Sequence, residues 1–152
     1  MGFDTVLLAV GGSDKDRIDL LARTAADIAG PAEATVALAH VFSPDEYRRA
    51  RDDLDFDADS EVNPDVIARR YLTIRDLSGA MDEAGVEYTR YGRLADEDEV
   101  GEGIVALAED IGADLVVIGG RRRSPAGKAV FGSTAQEVLL NAPCPVTFVR
   151  SD

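Results

Sequence analysis

Five short apolar runs alternating with longer amphipathic stretches restrict what this chain can fold into. Val6 to Val10 is bounded by Gly11-Gly12 and reads as a buried strand. Ile18, Leu21, Ala22, Ala25 and Ile28 follow at helical spacing, with Ser13 as the N-cap and Gly30-Pro31 as the stop. Thr35 to Val41 is a second strand. Asn63-Pro64 opens the next helix, whose period runs through Val66, Ile67, Tyr71, Ile74, Leu77 and Met81 to Gly85. Val86 to Tyr91 alternates like a strand. The acidic run Asp96 to Glu99 suits a helix N-terminus, and Ile104, Leu107, Ala108 and Ile111 carry that helix to Gly112. Leu115 to Ile118 is another buried strand, ending in Gly119-Gly120; Ser133 to Leu140 is a helix and Val146 to Val149 a last strand. This β-α order predicts an α/β protein with an open five-stranded parallel sheet covered on both faces. Right-handed crossovers leave few topologies for it.

A length of 152 residues fits one domain, 1–152, large enough to bury a sizeable core. Residues 43–62 stand apart. Ser43-Pro44-Asp45 opens them and Asp52, Asp53, Asp55, Asp57 and Asp59 crowd their middle, which predicts a flexible acidic loop with at most a helical turn. A calcium loop is excluded, because the glycine and bidentate glutamate of the EF-hand spacing are missing. The net charge is -13, and only Lys15 and Lys128 among the 16 cations are lysine. Such a field repels nucleic acid and anionic membrane over most of the surface. An acidic, lysine-poor surface also suits a high-salt cytoplasm.

Cys144 is the only cysteine, so no intrachain disulfide forms, as in a reducing compartment. No charged-then-apolar leader and no membrane-length apolar run is present, and a cytoplasmic location is expected. Met1-Gly2 does not make a myristoylation site, because Val6 stands where Ser or Thr is needed.

Two strands end alike, in Gly11-Gly12 and in Gly119-Gly120. In an open parallel sheet, ligands bind beyond the carboxyl ends of the strands where the strand order reverses. Glycine there lets a ligand approach the backbone; the plainer alternative is that both pairs shape tight strand-to-helix turns. The second pair runs into Arg121-Arg122-Arg123-Ser124-Pro125-Ala126-Gly127-Lys128, four of the 16 cations within eight residues. Gly132-Ser133-Thr134 then opens a helix. Free amides at a helix N-terminus, with hydroxyls and arginine nearby, bind phosphate. A solvated basic loop with Ser133 as an ordinary N-cap is the alternative.

Several look-alikes fail. A Walker loop needs glycine at Arg122 and Ser or Thr at Ala129. Gly101-Glu102-Gly103 with Ala106 mimics a dinucleotide fingerprint, but no strand precedes it and its acidic neighbours repel pyrophosphate. His40 is the only histidine, so no catalytic triad is available; it and Cys144 read as structural residues.

With these motifs the chain resembles the universal stress protein family from Val6 to Val149. The C-terminal part carries the likeness: strand, Gly119, basic loop, Gly132-Ser133, helix, then Ala142-Pro143-Cys144-Pro145-Val146. The family's nucleotide motif is glycine, two residues, glycine, nine residues, then glycine with Ser or Thr. Gly119, Gly132 and Ser133 match in register, and Arg122 takes the middle glycine position. ATP-binding members carry an aspartate after the first strand, where this chain has Gly11. The resemblance implies a Rossmann-like, adenine nucleotide alpha hydrolase-like sheet of order 3-2-1-4-5. It also implies that Ala9 and Val41 line an adenine pocket and that Gly119, Gly132, Ser133 and Thr134 hold the phosphates of ATP, with Mg2+ accompanying it. Arg122 either fills the cleft or clamps phosphate. A homodimer through Val146 to Val149 is implied as well, since an unpaired apolar edge is otherwise a hazard.

The expected function is that of a nucleotide-responsive stress or regulatory protein, not an enzyme, acting through dimerisation and partner binding. The alternative is a chaperone-like or interaction module that binds no nucleotide, which Gly11 and Arg122 favour.

Overall fold

The computed structural model describes residues 3–54, 63–121 and 132–151. Strands β1 (Thr5–Val10), β2 (Thr35–Phe42), β3 (Tyr88–Leu94), β4 (Leu115–Arg121) and β5 (Val146–Ser151) form one parallel sheet of order β3-β2-β1-β4-β5. The helices are α1 (Ile18–Ala32), α2 (Pro44–Asp53), α3 (Pro64–Arg70), α4 (Leu72–Ala84), α5 (Val100–Ile111) and α6 (Ser133–Asn141). Short 3-10 turns at Gly12–Arg17 and Glu97–Glu99 lead into α1 and α5.

Strand alternation sorts the core into two faces. Val6, Leu8 and Val10 pack with Leu21 and Ala25 of α1, Ile67 of α3, and Ile74, Leu77 and Met81 of α4. Leu7 and Ala9 pack on the other face with Ile104 and Leu107 of α5 and Ala135 and Val138 of α6. Each Val, Leu, Ile or Met side chain among these contributes about 1.5–3 kcal/mol on burial, which suffices to hold helices on both faces.

The elements depart from the sequence expectation at definite places. Gly30-Pro31 does not stop α1, which runs on to Ala32 and ends at Glu33 with φ 56. Proline's fixed φ suits a helix, and so near the end it removes little hydrogen bonding. Ser13 is not the N-cap of α1; it lies inside the preceding 3-10 turn. The acidic stretch is no loop over Pro44–Asp53. Ser43 Oγ accepts from Glu46 N–H at 3.2 Å, and the Glu46 carboxylate accepts from Ser43 N–H at 3.3 Å. This reciprocal capping nucleates α2. The remainder of that stretch, 55–62, lies outside the described residues.

The expected single helix from Asn63 to Gly85 is two. Tyr71, with ψ 135, breaks it, and its ring packs 4.7 Å from His40 and 5.1 Å from Phe42. Val86 is not in β3: its N–H bonds to Met81 O at 3.0 Å, closing the end of α4 after the left-handed Gly85. At its far end β4 continues through Gly119, Gly120 and Arg121, paired with Val149, Arg150 and Ser151. The second glycine pair is therefore strand, not turn.

Candidate functional site

The strand order reverses between β1 and β4, since β2 follows on one side of β1 and β4 lies on the other. The β1–β4 ladder runs from Val6↔Leu115 to Leu8↔Val117 and goes no further, although β1 continues to Val10 and β4 to Arg121. β1 and β2, by contrast, stay paired to Val10↔His40. The break in pairing at the carboxyl ends is where such a sheet offers its ligand crevice.

Ala9 and Val41 are both buried on the α5–α6 face, in one cluster with Ile104, Ile118 and Ala135. α6 packs on that face through Ala135 and Val138. Its N-terminus adjoins the start of α5, because a Cβ on Gly101 would lie 2.6 Å from Glu137 Cβ and 3.1 Å from Thr134 O. Gly101, the false fingerprint glycine, is therefore a helix-packing residue.

The start of α6 has the make-up of an anion site. Gly132 is the N-cap, in extended backbone, and Ser133 is the first helical residue rather than the cap. Gly132 and Ser133 are exposed and Thr134 is partly so. Among the described residues no side chain caps the helix, and no acidic residue sits in its first turn. Its leading amides have no intrahelical acceptor and carry the positive end of the dipole. The start of α5 is the opposite, with Glu97, Asp98, Glu99 and Glu102 around it. Arg122 lies outside the described residues, as do residues 123–131.

Two site residues escaped sequence reasoning. Gly11 N–H donates to Asp14 Oδ2 at 2.8 Å, so a carboxylate three residues later is brought to the end of β1. Asp14 pairs with Arg17 Nη1, and both side chains are almost wholly buried. Arg17 lies against Gly119, where a Cβ would come 2.7 Å from its Cδ. Gly119 thus opens space on the α1 face for an arginine. On the other face a Cβ at Gly120 would strike Phe148 Cζ at 2.6 Å. The signal was the Asp14-x-x-Arg17 spacing, which reads as an ordinary surface pair until the fold buries it.

His40 is buried, with Nε2 3.3 Å from Glu46 Oε2; its Nδ1 has no partner among the described residues. The His40 hydrogen bond holds the Glu46 carboxyl below its usual range, ahead of the opposing effect of burial. Burial raises the Tyr71 phenol. Burial also raises the Cys144 thiol, with Asp114 adding to it, which makes it a poor nucleophile. Among the described residues no group of His, Cys, Asp and Glu is arranged to hold a metal, and no helix is long and apolar enough to cross a membrane.

Fold and crevice together define an open, doubly wound α/β protein. The sequence matches the Universal stress protein family over residues 2–150, and the chain belongs to that family. A universal stress protein of Thermus aquaticus is 33% identical over 148 residues, covering 97% of this chain and 99% of that one. One of Mycolicibacterium smegmatis is 32% identical over 77 residues, a match spanning 51% of this chain and 58% of the relative. Among solved structures, a universal stress protein from Archaeoglobus fulgidus superposes with TM-score 0.73 at 27% identity, covering 97% of this chain and 98% of that one. Another from that organism, in complex with dAMP, gives 0.65 at 22% identity, covering 98% and 99%. A universal stress protein in complex with cAMP gives 0.69 at 19% identity over the full length of both chains.

Proposed function

We propose that this chain is a nucleotide-responsive stress protein that binds ATP or a related adenine nucleotide beyond the carboxyl ends of β1 and β4. The observation that carries the reading is the lapse of the β1–β4 ladder after Leu8↔Val117, on a sheet whose α6 begins with exposed, acid-free Gly132-Ser133-Thr134 that no side chain caps among the described residues. Buried Ala9 and Val41 supply an apolar floor for a base. The dAMP and cAMP held by relatives of the same fold support the ligand class. Mg2+ would accompany ATP through its phosphates. The role is binding, not turnover.

The output is a homodimer and its partners. β5 is an edge of the sheet, with β4 as its neighbour, and Val146, Thr147 and Phe148 are only partly covered. Pairing with its symmetric copy would remove an exposed edge.

One observation favours a module that binds no nucleotide: Asp14 already occupies Gly11 N–H, and Arg17 is committed to Asp14. Mass spectrometry of freshly purified, undenatured protein separates the two. An adenine nucleotide at close to one per chain is expected. Ligand-free protein that also fails to retain added ATP, ADP or AMP on desalting supports the module instead.

A further inference from the structure

The last residue of β5 is tied to the end of β1 by a side-chain bridge that crosses β4. Arg17 Nε donates to Ser151 Oγ at 2.9 Å, and Arg17 Nη1 pairs with Asp14. Asp14 in turn holds Gly11 N–H, and Ser151 Oγ lies 3.4 Å from the Gly120 carbonyl. The guanidinium is buried, and its stem lies over Gly119. The backbone ladder between β1 and β4 has already stopped at Leu8↔Val117. At the level of the crevice, a buried charge pair and a hydroxyl take the place of sheet hydrogen bonds in linking these strand ends.

We propose that Arg17 is a positioning residue that makes the crevice end of β4 and the tip of the edge strand β5 one cooperative unit, so that ligand in the crevice and pairing at the β5 edge are coupled through it. The ligand half rests on the nucleotide and dimer reading above; the cooperative unit needs neither. A guanidinium fork holds Asp14 and Ser151 at once, whereas a lysine at this position keeps the charge but not the fork. Because coupling is reciprocal, a ligand that shifts the β5 edge must be felt by dimerisation, and the dimer by the ligand.

The test is residue-resolved hydrogen exchange on the full chain, comparing the unaltered protein with Arg17→Lys and Ser151→Ala, first without ligand. Both variants should speed exchange at Gly119–Arg121 and Arg150–Ser151 by about threefold or more, with Leu7 and Leu8 unchanged. A uniform rise would mean plain loss of global stability, and a change confined to Arg150–Ser151 would mean no shared unit; either overturns the proposal. ATP should then alter the dimer dissociation constant of the unaltered protein by about fivefold or more, and by less than about twofold in Arg17→Lys. ATP that binds calorimetrically yet leaves the dimer constant unmoved overturns the coupling. No ATP heat in the unaltered protein defeats the nucleotide reading and the ligand half with it, while the ligand-free exchange pattern still decides the cooperative unit.

Discussion

Arg17 lies directly over Gly119: a Cβ there would come 2.7 Å from Arg17 Cδ and 3.1 Å from Leu21 Cδ2. Gly119→Ala should therefore push the arginine off its seat. The expected cost is about 1–3 kcal/mol in urea unfolding, the range for overfilling a packed site, together with weaker ATP binding. Gly11→Ala is the control, since nothing lies within 4 Å of a Cβ there and its φ of -136 suits any residue. It should change stability by less than about 0.5 kcal/mol.

Asp14 and Arg17 form a buried pair, with side chains 9% and 6% exposed. Asp14→Ala removes one partner of this buried pair while the Ser151 contact of Arg17 stays, and should destabilise by about 3–5 kcal/mol. Adding Arg17→Met removes the buried charge as well, so the double variant should unfold at higher urea than Asp14→Ala alone. Equal midpoints for the two would show that the pair is solvated rather than buried.

The parallel α/β architecture was legible because it follows from β-α alternation and from which apolar runs are short, and the strand order followed from the family resemblance. What was not legible depended on contacts distant in sequence. Tyr71 fits a helical period, and only its packing on His40 and Phe42 turns it into a break. Gly119 and Gly120 look like a turn, but their pairing with Val149 and Arg150 makes them strand. The capping signature at Ser43 to Glu46 was present locally and was outweighed by the aspartates that follow. Ala9 and Val41 fall on one face of the sheet, whereas Asp14 and Arg17, which the sequence reading did not single out, had no local mark of burial.

Glu46 gives a pH prediction. Its carboxyl is held below the reference value of 4.5, chiefly by His40. A lowered folded value means that its stabilisation is fully present above about pH 4.5 and is lost as pH falls through the lower folded value. Carbon-detected carboxyl titration should place Glu46 below 4.5, and in His40→Leu it should move upward. The stability gap between the two proteins should narrow as the solution is acidified. An unmoved Glu46 titration in the variant would assign the shift to Ser43 instead.

Gly92 lets α3 lie close against β3, since a Cβ would lie 2.0 Å from Pro64 O and 3.0 Å from Ala68 Cβ. Because the first obstacle is backbone, α3 itself must move. Gly92→Ala should cost about 1–3 kcal/mol, visible as a fall in thermal midpoint.

The net charge of -13 should make the folded state salt-dependent through self-repulsion. The thermal midpoint is expected to rise steadily from dilute buffer to molar KCl. A midpoint indifferent to salt would remove the high-salt reading of the acidic surface.

The most direct measurement is isothermal titration of the purified protein with ATP, ADP and AMP in molar KCl with Mg2+, alongside a variant carrying Gly132→Pro and Ser133→Ala at the start of α6. Saturable heat with at least one nucleotide, near one site per chain and weakened about tenfold or more in the variant, is the predicted result. No heat up to millimolar nucleotide, or equal affinity in the variant, would contradict an anion site at the strand ends.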